Sequence, residues 1–81
     1  MTNPVMIYQP EHETKYRIAW YGGESPMLHY EKKIGDEWVD MRVQTLGSGL
    51  PTQVKEMYQA MQEFYDDCIT MEHEAMYGTI F

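Results

Sequence analysis

The sequence predicts an α+β fold: a three-stranded antiparallel meander, with a candidate fourth strand near the N-terminus, packed against one long C-terminal helix. Three observations predict it. Apolar residues alternate with polar ones in the first half of the chain, which is the period of a half-buried strand. After Gly47-Ser48-Gly49 the period lengthens to that of a helix. The two hairpin connections, set independently, send the strands' apolar residues to one common face.

The first strand reads from Tyr16-Arg17-Ile18-Ala19-Trp20, with Tyr16, Ile18 and Trp20 on one side and Arg17, Ala19 and Tyr21 on the other. The five residues Gly22 to Pro26 make a loop, and Leu28 and Tyr30 then alternate with His29 and Glu31. Gly35-Asp36, with glycine first, suits a two-residue type II′ turn. That turn sets Ile34 opposite Glu37, Lys33 opposite Trp38, Tyr30 opposite Met41 and Leu28 opposite Val43. The five-residue loop sets Trp20 opposite Leu28 and Ile18 opposite Tyr30. The predicted covered face is therefore Tyr16, Ile18, Trp20, Leu28, Tyr30, Val39, Met41 and Val43. On the other face Arg17 falls opposite Glu31 and His29 opposite Arg42, while Glu31 meets Asp40 and needs Arg17 or Arg42 beside it. This open face is expected to be wet, with Trp38 and Tyr21 as its aromatic exceptions.

Residues 5–45 thus form the sheet region, 46–50 a linker, 51–76 the helix and 77–81 a short tail, all in one domain. Pro51 suits the first turn of the helix because it has no N–H to leave unpaired. Glu56, Glu63, Asp67 and Glu74 fall within about 40° of one another around that helix, opposite Val54, Tyr58, Met61 and Tyr65. Met57, Met61 and Cys68 read as core. A helix of about 25 residues is about 38 Å long, whereas strands of about seven residues span about 23 Å. The excess can be covered by Val5-Met6-Ile7-Tyr8 as a fourth strand, by the tail, or by a second copy of the protein. A homodimer through Ile69, Met71, Met76, Ile80 and Phe81 is the favoured expectation, since small cores are often completed by association.

Eighty-one residues, 43% hydrophobic and 14% aromatic, make a single small core despite a net charge of −7. The charge is uneven. Residues 1–50 hold seven acids and five bases, a net of −2; residues 51–81 hold six acids and one base, a net of −5. Phosphate backbones and anionic lipid are repelled by such a surface, so direct nucleic-acid binding and membrane docking are not expected. One cysteine permits no intrachain disulfide, and the N-terminus has neither the basic start nor the apolar run of a signal peptide. The expected compartment is the cytoplasm.

Catalytic chemistry is thinly represented. His12 and His73 each sit in a Glu-His-Glu-x-x-Tyr string, but neighbouring helical residues point about 100° apart, and no metal-ligand spacing occurs. Neither a metal nor a cofactor is expected, and nor is an enzyme. His29 and Asp40 are the one pair that an enzyme reading would use. The acids of the helix have a plain reading as solubilising charge. Against it, no lysine or arginine follows Lys55, Glu63 and Asp67 repel at i,i+4, and late acids oppose the helix dipole. The expected function is therefore a small acidic inhibitor that occupies a basic, nucleic-acid-binding surface of a partner protein through Glu56, Glu63, Asp66, Asp67 and Glu74 with Trp38 and Tyr21. Size and charge alone liken it to phage-encoded anti-defence and host-takeover inhibitors. The alternative is a homodimeric assembly module using the methionine-rich helix end; a ligand-binding or enzymatic open face comes third.

Overall fold

The computed structural model describes residues 3–47 and 49–77, with the backbone alone for 74–77. Strands β1 (Met6–Tyr8), β2 (Tyr16–Trp20), β3 (Met27–Ile34) and β4 (Glu37–Thr45) form one antiparallel sheet in the order β1-β2-β3-β4, followed by helix α1 (Val54–Tyr77). The fourth strand is thus real, and it lies at the edge beyond β2. Met6 pairs with Trp20 and Tyr8 with Ile18, and the Val5 N–H extends the ladder to the Trp20 carbonyl at 2.7 Å. Met6 and Tyr8 pack against the core, where the Tyr8 ring meets Tyr65 edge-on at 5.7 Å.

Two hairpins bear out their turn chemistry. Gly35 has φ 64°, as the first position of a type II′ turn requires, and Ile34 faces Glu37 with Lys33 facing Trp38. Across the other hairpin Ile18 faces Tyr30 and Arg17 faces Glu31. The core then assembles from Ile18, Leu28 and Tyr30 on the sheet with Met57, Met61, Phe64, Tyr65 and Cys68 on the helix. Ile18, Leu28, Tyr30 and Met61 are wholly shielded from solvent. The Tyr30 ring stacks on Tyr16 at 5.2 Å, and its hydroxyl is buried with no hydrogen-bond partner among the described residues.

In the second half of β4 the register departs from the expected one. Glu31 faces Asp40 but Tyr30 faces Arg42, so Met41 is an extra, unpaired residue: a β-bulge. Beyond it every side chain is on the opposite face from the one regular alternation assigns. Val43 lies opposite His29 on the open face, not opposite Leu28, and Arg42 and Gln44 stand on the helix side beside Tyr30 and Leu28. His29 therefore does not face Arg42. The physical reason lies at the strand's end. With the bulge, Leu46 turns to the helix side, where it packs against the core while its N–H bonds the Pro26 carbonyl at 2.7 Å. One leucine joins the core, and Val39, Met41 and Val43 are left 39%, 46% and 43% exposed.

Helix α1 begins at Val54, three residues later than Pro51 would have it, with the Gln53 carbonyl accepting from the Met57 N–H. Leu46 and Leu50 both dip into the core, so the chain spends 46–53 crossing from the sheet to the helix layer. The helix packs over β1, β2 and β3. Its buried arc, from Phe64 through Met57, Cys68 and Met61 to Tyr65, lies within the helix's apolar positions but is centred about 45° from the line of Val54, Tyr58, Met61 and Tyr65 expected opposite the acids. Val54 and Tyr58 are consequently exposed, at 66% and 43%. Cys68 is buried in this arc, and burial pushes its thiol up to about 11. Cys68 thus packs in the core arc of the helix.

Candidate functional site

The rotation of α1 decides where its acids point. Glu56, Glu63 and Asp67 stand about 120° from the centre of the buried arc, not diametrically outward, and so run along the flank of the helix that looks toward β4. Glu56, Glu63, Asp66 and Asp67 are all exposed. Two ion pairs occur among the described residues, Arg17 with Glu31 and His29 with Asp40, and neither involves the helix. Glu56, Glu63, Asp66 and Asp67 thus make no ion pair among the described residues, with Arg42 across the groove from Asp67. Glu74 continues the line on the backbone, but its side chain, like that of Met76, lies outside the described residues, as do Ile80 and Phe81 altogether.

Between that flank and β4 runs a groove of about 510 Å³, walled by Arg42, Val43, Gln44 and Thr45 on one side and by Phe64, Asp67, Cys68 and Met71 on the other. The groove follows from the two departures just described. The bulge turns Arg42 and Gln44 toward the helix, and the helix stands over the first three strands rather than the last three. Met71, expected at a dimer contact, is exposed on the groove wall, whereas Ile69 packs partly into the core. No signal in the sequence marks this groove: β4 alternates regularly as written, and a bulge is visible only against its partner strand.

The open face holds a second cluster. The Arg17 Nε donates to Glu31 Oε1 at 2.7 Å, the Tyr21 hydroxyl donates to Glu31 Oε2, and the Arg17 guanidinium lies over the Trp38 ring at 4.2 Å. Glu31 is 2% exposed, so this part of the face is dry, contrary to expectation. Burial pushes the Tyr21 phenol up to about 12, and the Glu31 carboxylate it serves adds to the shift. Arg17 is the cation that relieves the Glu31–Asp40 pair; Arg42 is turned away by the bulge. His29 Nδ1 meets Asp40 Oδ2 at 3.2 Å, with the Tyr21 ring edge-on to the imidazole at 5.0 Å, so the pair singled out from sequence is brought together. A shallower hollow of about 370 Å³ opens beside Trp38, Tyr21 and Arg17, against Asn3 and Pro4.

The sequence-derived partner residues thus divide. Glu56, Glu63, Asp66 and Asp67 belong to the helix layer, while Trp38 and Tyr21 belong to the opposite face of the sheet, where they cover Glu31. One flat partner surface does not reach both sets. Among the described residues no three His, Cys, Asp or Glu side chains cluster to hold a metal ion, and no helix is long and apolar enough to cross a membrane. Comparison with protein-family models, with curated proteins and with solved structures finds no match for this chain. The class that the coordinates define is a four-stranded antiparallel sheet with one long helix on one face, and the chemistry of its surfaces carries any functional reading.

Proposed function

We propose that this chain is a small acidic binding protein that occupies a basic surface on a partner protein, with Glu56, Glu63, Asp66 and Asp67 as the contacting charges and Glu74 continuing their line. The observation that carries the reading is the exposed surface of α1, on which Glu56, Glu63 and Asp67 share one flank with Asp66 beside it, and these four make no ion pair among the described residues. Like charges at i,i+4 and acids late in a helix both cost stability, by a few tenths of a kcal/mol each. A row of negative charge on a rigid rod resembles a nucleic-acid backbone in outline. The partner class that fits is therefore a protein whose basic surface takes DNA or RNA, and the effect on it is inhibition by competition. Trp38 and Tyr21 act in this reading as props for the open face, not as contacts.

The test uses the partner captured from the source cells. Reversal of Glu63 and Asp67 to Lys should lower affinity at least tenfold and flatten its dependence on salt, while folding stability is unchanged or slightly higher. Lys33→Ala, on the sheet, is the control. Added nucleic acid should displace the protein from the partner. Unchanged affinity in the reversed variant would sink the reading.

Self-assembly has one observation in its favour: Ile34, Val39, Met41, Val43 and Met71 leave large apolar groups exposed. These centre on β4 and the groove, away from the helix end where a dimer contact was expected. Light scattering at micromolar concentration separates the two, since a homodimer doubles the mass and Met71→Lys returns it to that of one chain.

A further inference from the structure

We infer that the partner's contacting element is an extended, basic segment that adds to the sheet as a fifth strand beside β4, with alternate Lys or Arg side chains laid across the groove to the acids of α1. This deepens the acidic-surface reading and rests on it.

The two edges of the sheet are unequal. β1 offers three residues, whereas β4 offers nine, about 30 Å of backbone with no strand on its outer side among the described residues. Sheets ordinarily blunt such an edge with proline, with charge, with a covering element or with a bulge. β4 has no proline and, among the described residues, no covering helix; its charges are Glu37, Asp40 and Arg42, of which Arg42 alone lies beyond the bulge. Its bulge at Met41 interrupts the ladder in the middle, which leaves Arg42 to Thr45 as an unbroken stretch alongside the groove.

The occupant's chemistry follows from what faces that stretch. On the helix side the groove wall is Phe64, Cys68 and Met71 with one acid, Asp67, at its rim, and Glu63 lies one turn before Asp67 on the exposed helix surface above the groove. Lysine and arginine have an apolar stem and a charged head and fit such a wall in that order. The residues between the basic ones would turn to the open side next to the exposed Val43, which favours apolar side chains there. Arg42 is the one cation lining the groove, and Asp67 stands across from it. A second copy is disfavoured as the occupant, because it brings a net charge of −7 against −7.

The probe is a terminally blocked peptide of alternating Lys and Val, eight residues long. Its comparator is methylated on the backbone nitrogens of the central Lys and its neighbouring Val, which keeps every positive charge and blocks the ladder whichever of the two N–H groups faces β4. Saturating alternating peptide should slow amide exchange within 42–45 at least tenfold, and the comparator should bind at least tenfold more weakly. Glu63→Gln with Asp67→Gln should weaken the alternating peptide at least tenfold. Equal affinity of the two peptides, unprotected amides in 42–45 or no binding of the alternating peptide would overturn strand addition. If in the first of these cases both peptides still weaken on Glu63→Gln with Asp67→Gln, the acidic-surface reading survives alone. Indifference of both peptides to that change would remove the acidic-surface reading, and strand addition with it.

Discussion

β2 and β4 belong to one sheet and each carries four apolar residues, in a strand of five and a strand of nine, yet these end in opposite states. In β2, Ile18 is buried beneath the helix layer and Ala19 is buried among its neighbours on the opposite face; in β4, Val39, Met41 and Val43 remain open to solvent. The difference follows position in the sheet. A single helix is about 10 to 12 Å wide, the width of two or three strands at about 4.8 Å spacing, and the strand left outside its footprint keeps its surface. Burial in a small domain is rationed by geometry, so an apolar residue in a strand predicts a pleated, half-buried setting rather than a place in the core.

The largest effect should come from the covered side. Ile18→Ala or Met61→Ala is expected to cost about 2 to 5 kcal/mol, read by urea denaturation, because each leaves a cavity in a packed interior. Val43→Ala on the bare strand should stay within about 0.5 kcal/mol. Similar costs at the two sites would break the contrast.

Next in size is the dry patch on the open face. Arg17→Met keeps much of the stem's volume but removes the donor to buried Glu31, for an expected loss of about 1.5 to 3 kcal/mol, the worth of a hydrogen bond to a charged group. Replacing Lys33, which stands farther from the same tryptophan, should leave the denaturation midpoint nearly in place. If Arg17→Met is equally silent, Glu31 is not held as described.

Tyr30→Phe sharpens the picture with the opposite sign. It removes a buried hydroxyl that has no partner among the described residues, so stability should rise by about 1 kcal/mol on thermal melting. A drop of that size would reveal a bond to that hydroxyl.

Smallest should be deletion of Met41. Because the residue has no partner across the ladder, its removal should join the two halves of β4 in their present registers and change stability by only about 0.5 kcal/mol, as for other exposed positions. Interstrand backbone NOEs would check that Tyr30 still faces position 42. A slide that put Val43 opposite Leu28 would mean that Leu46 is not what sets the register.

The elements of this fold were legible because each is written locally. Gly35-Asp36 and the loop from Gly22 to Pro26 dictate the pairings Ile34–Glu37, Ile18–Tyr30 and Arg17–Glu31, and the 3.6-residue period marks α1. The acids of the helix, its buried Met57, Met61 and Cys68, and the candidate fourth strand could be read in the same way. Three matters were settled only by tertiary contacts. The bulge at Met41 arises because Leu46 is better placed in the core than Val43, a competition between residues of one strand that alternation cannot express. The azimuth of α1 depends on β1 sliding under Tyr65, which draws the helix over the first three strands and turns Glu63 and Asp67 to the side. The groove exists only where those two outcomes meet, since neither Arg42 and Gln44 nor Phe64, Asp67 and Met71 carry any mark of the other set. Local periodicity therefore determined which residues are helix and strand, while packing across the layers determined which way their charged and apolar sides face.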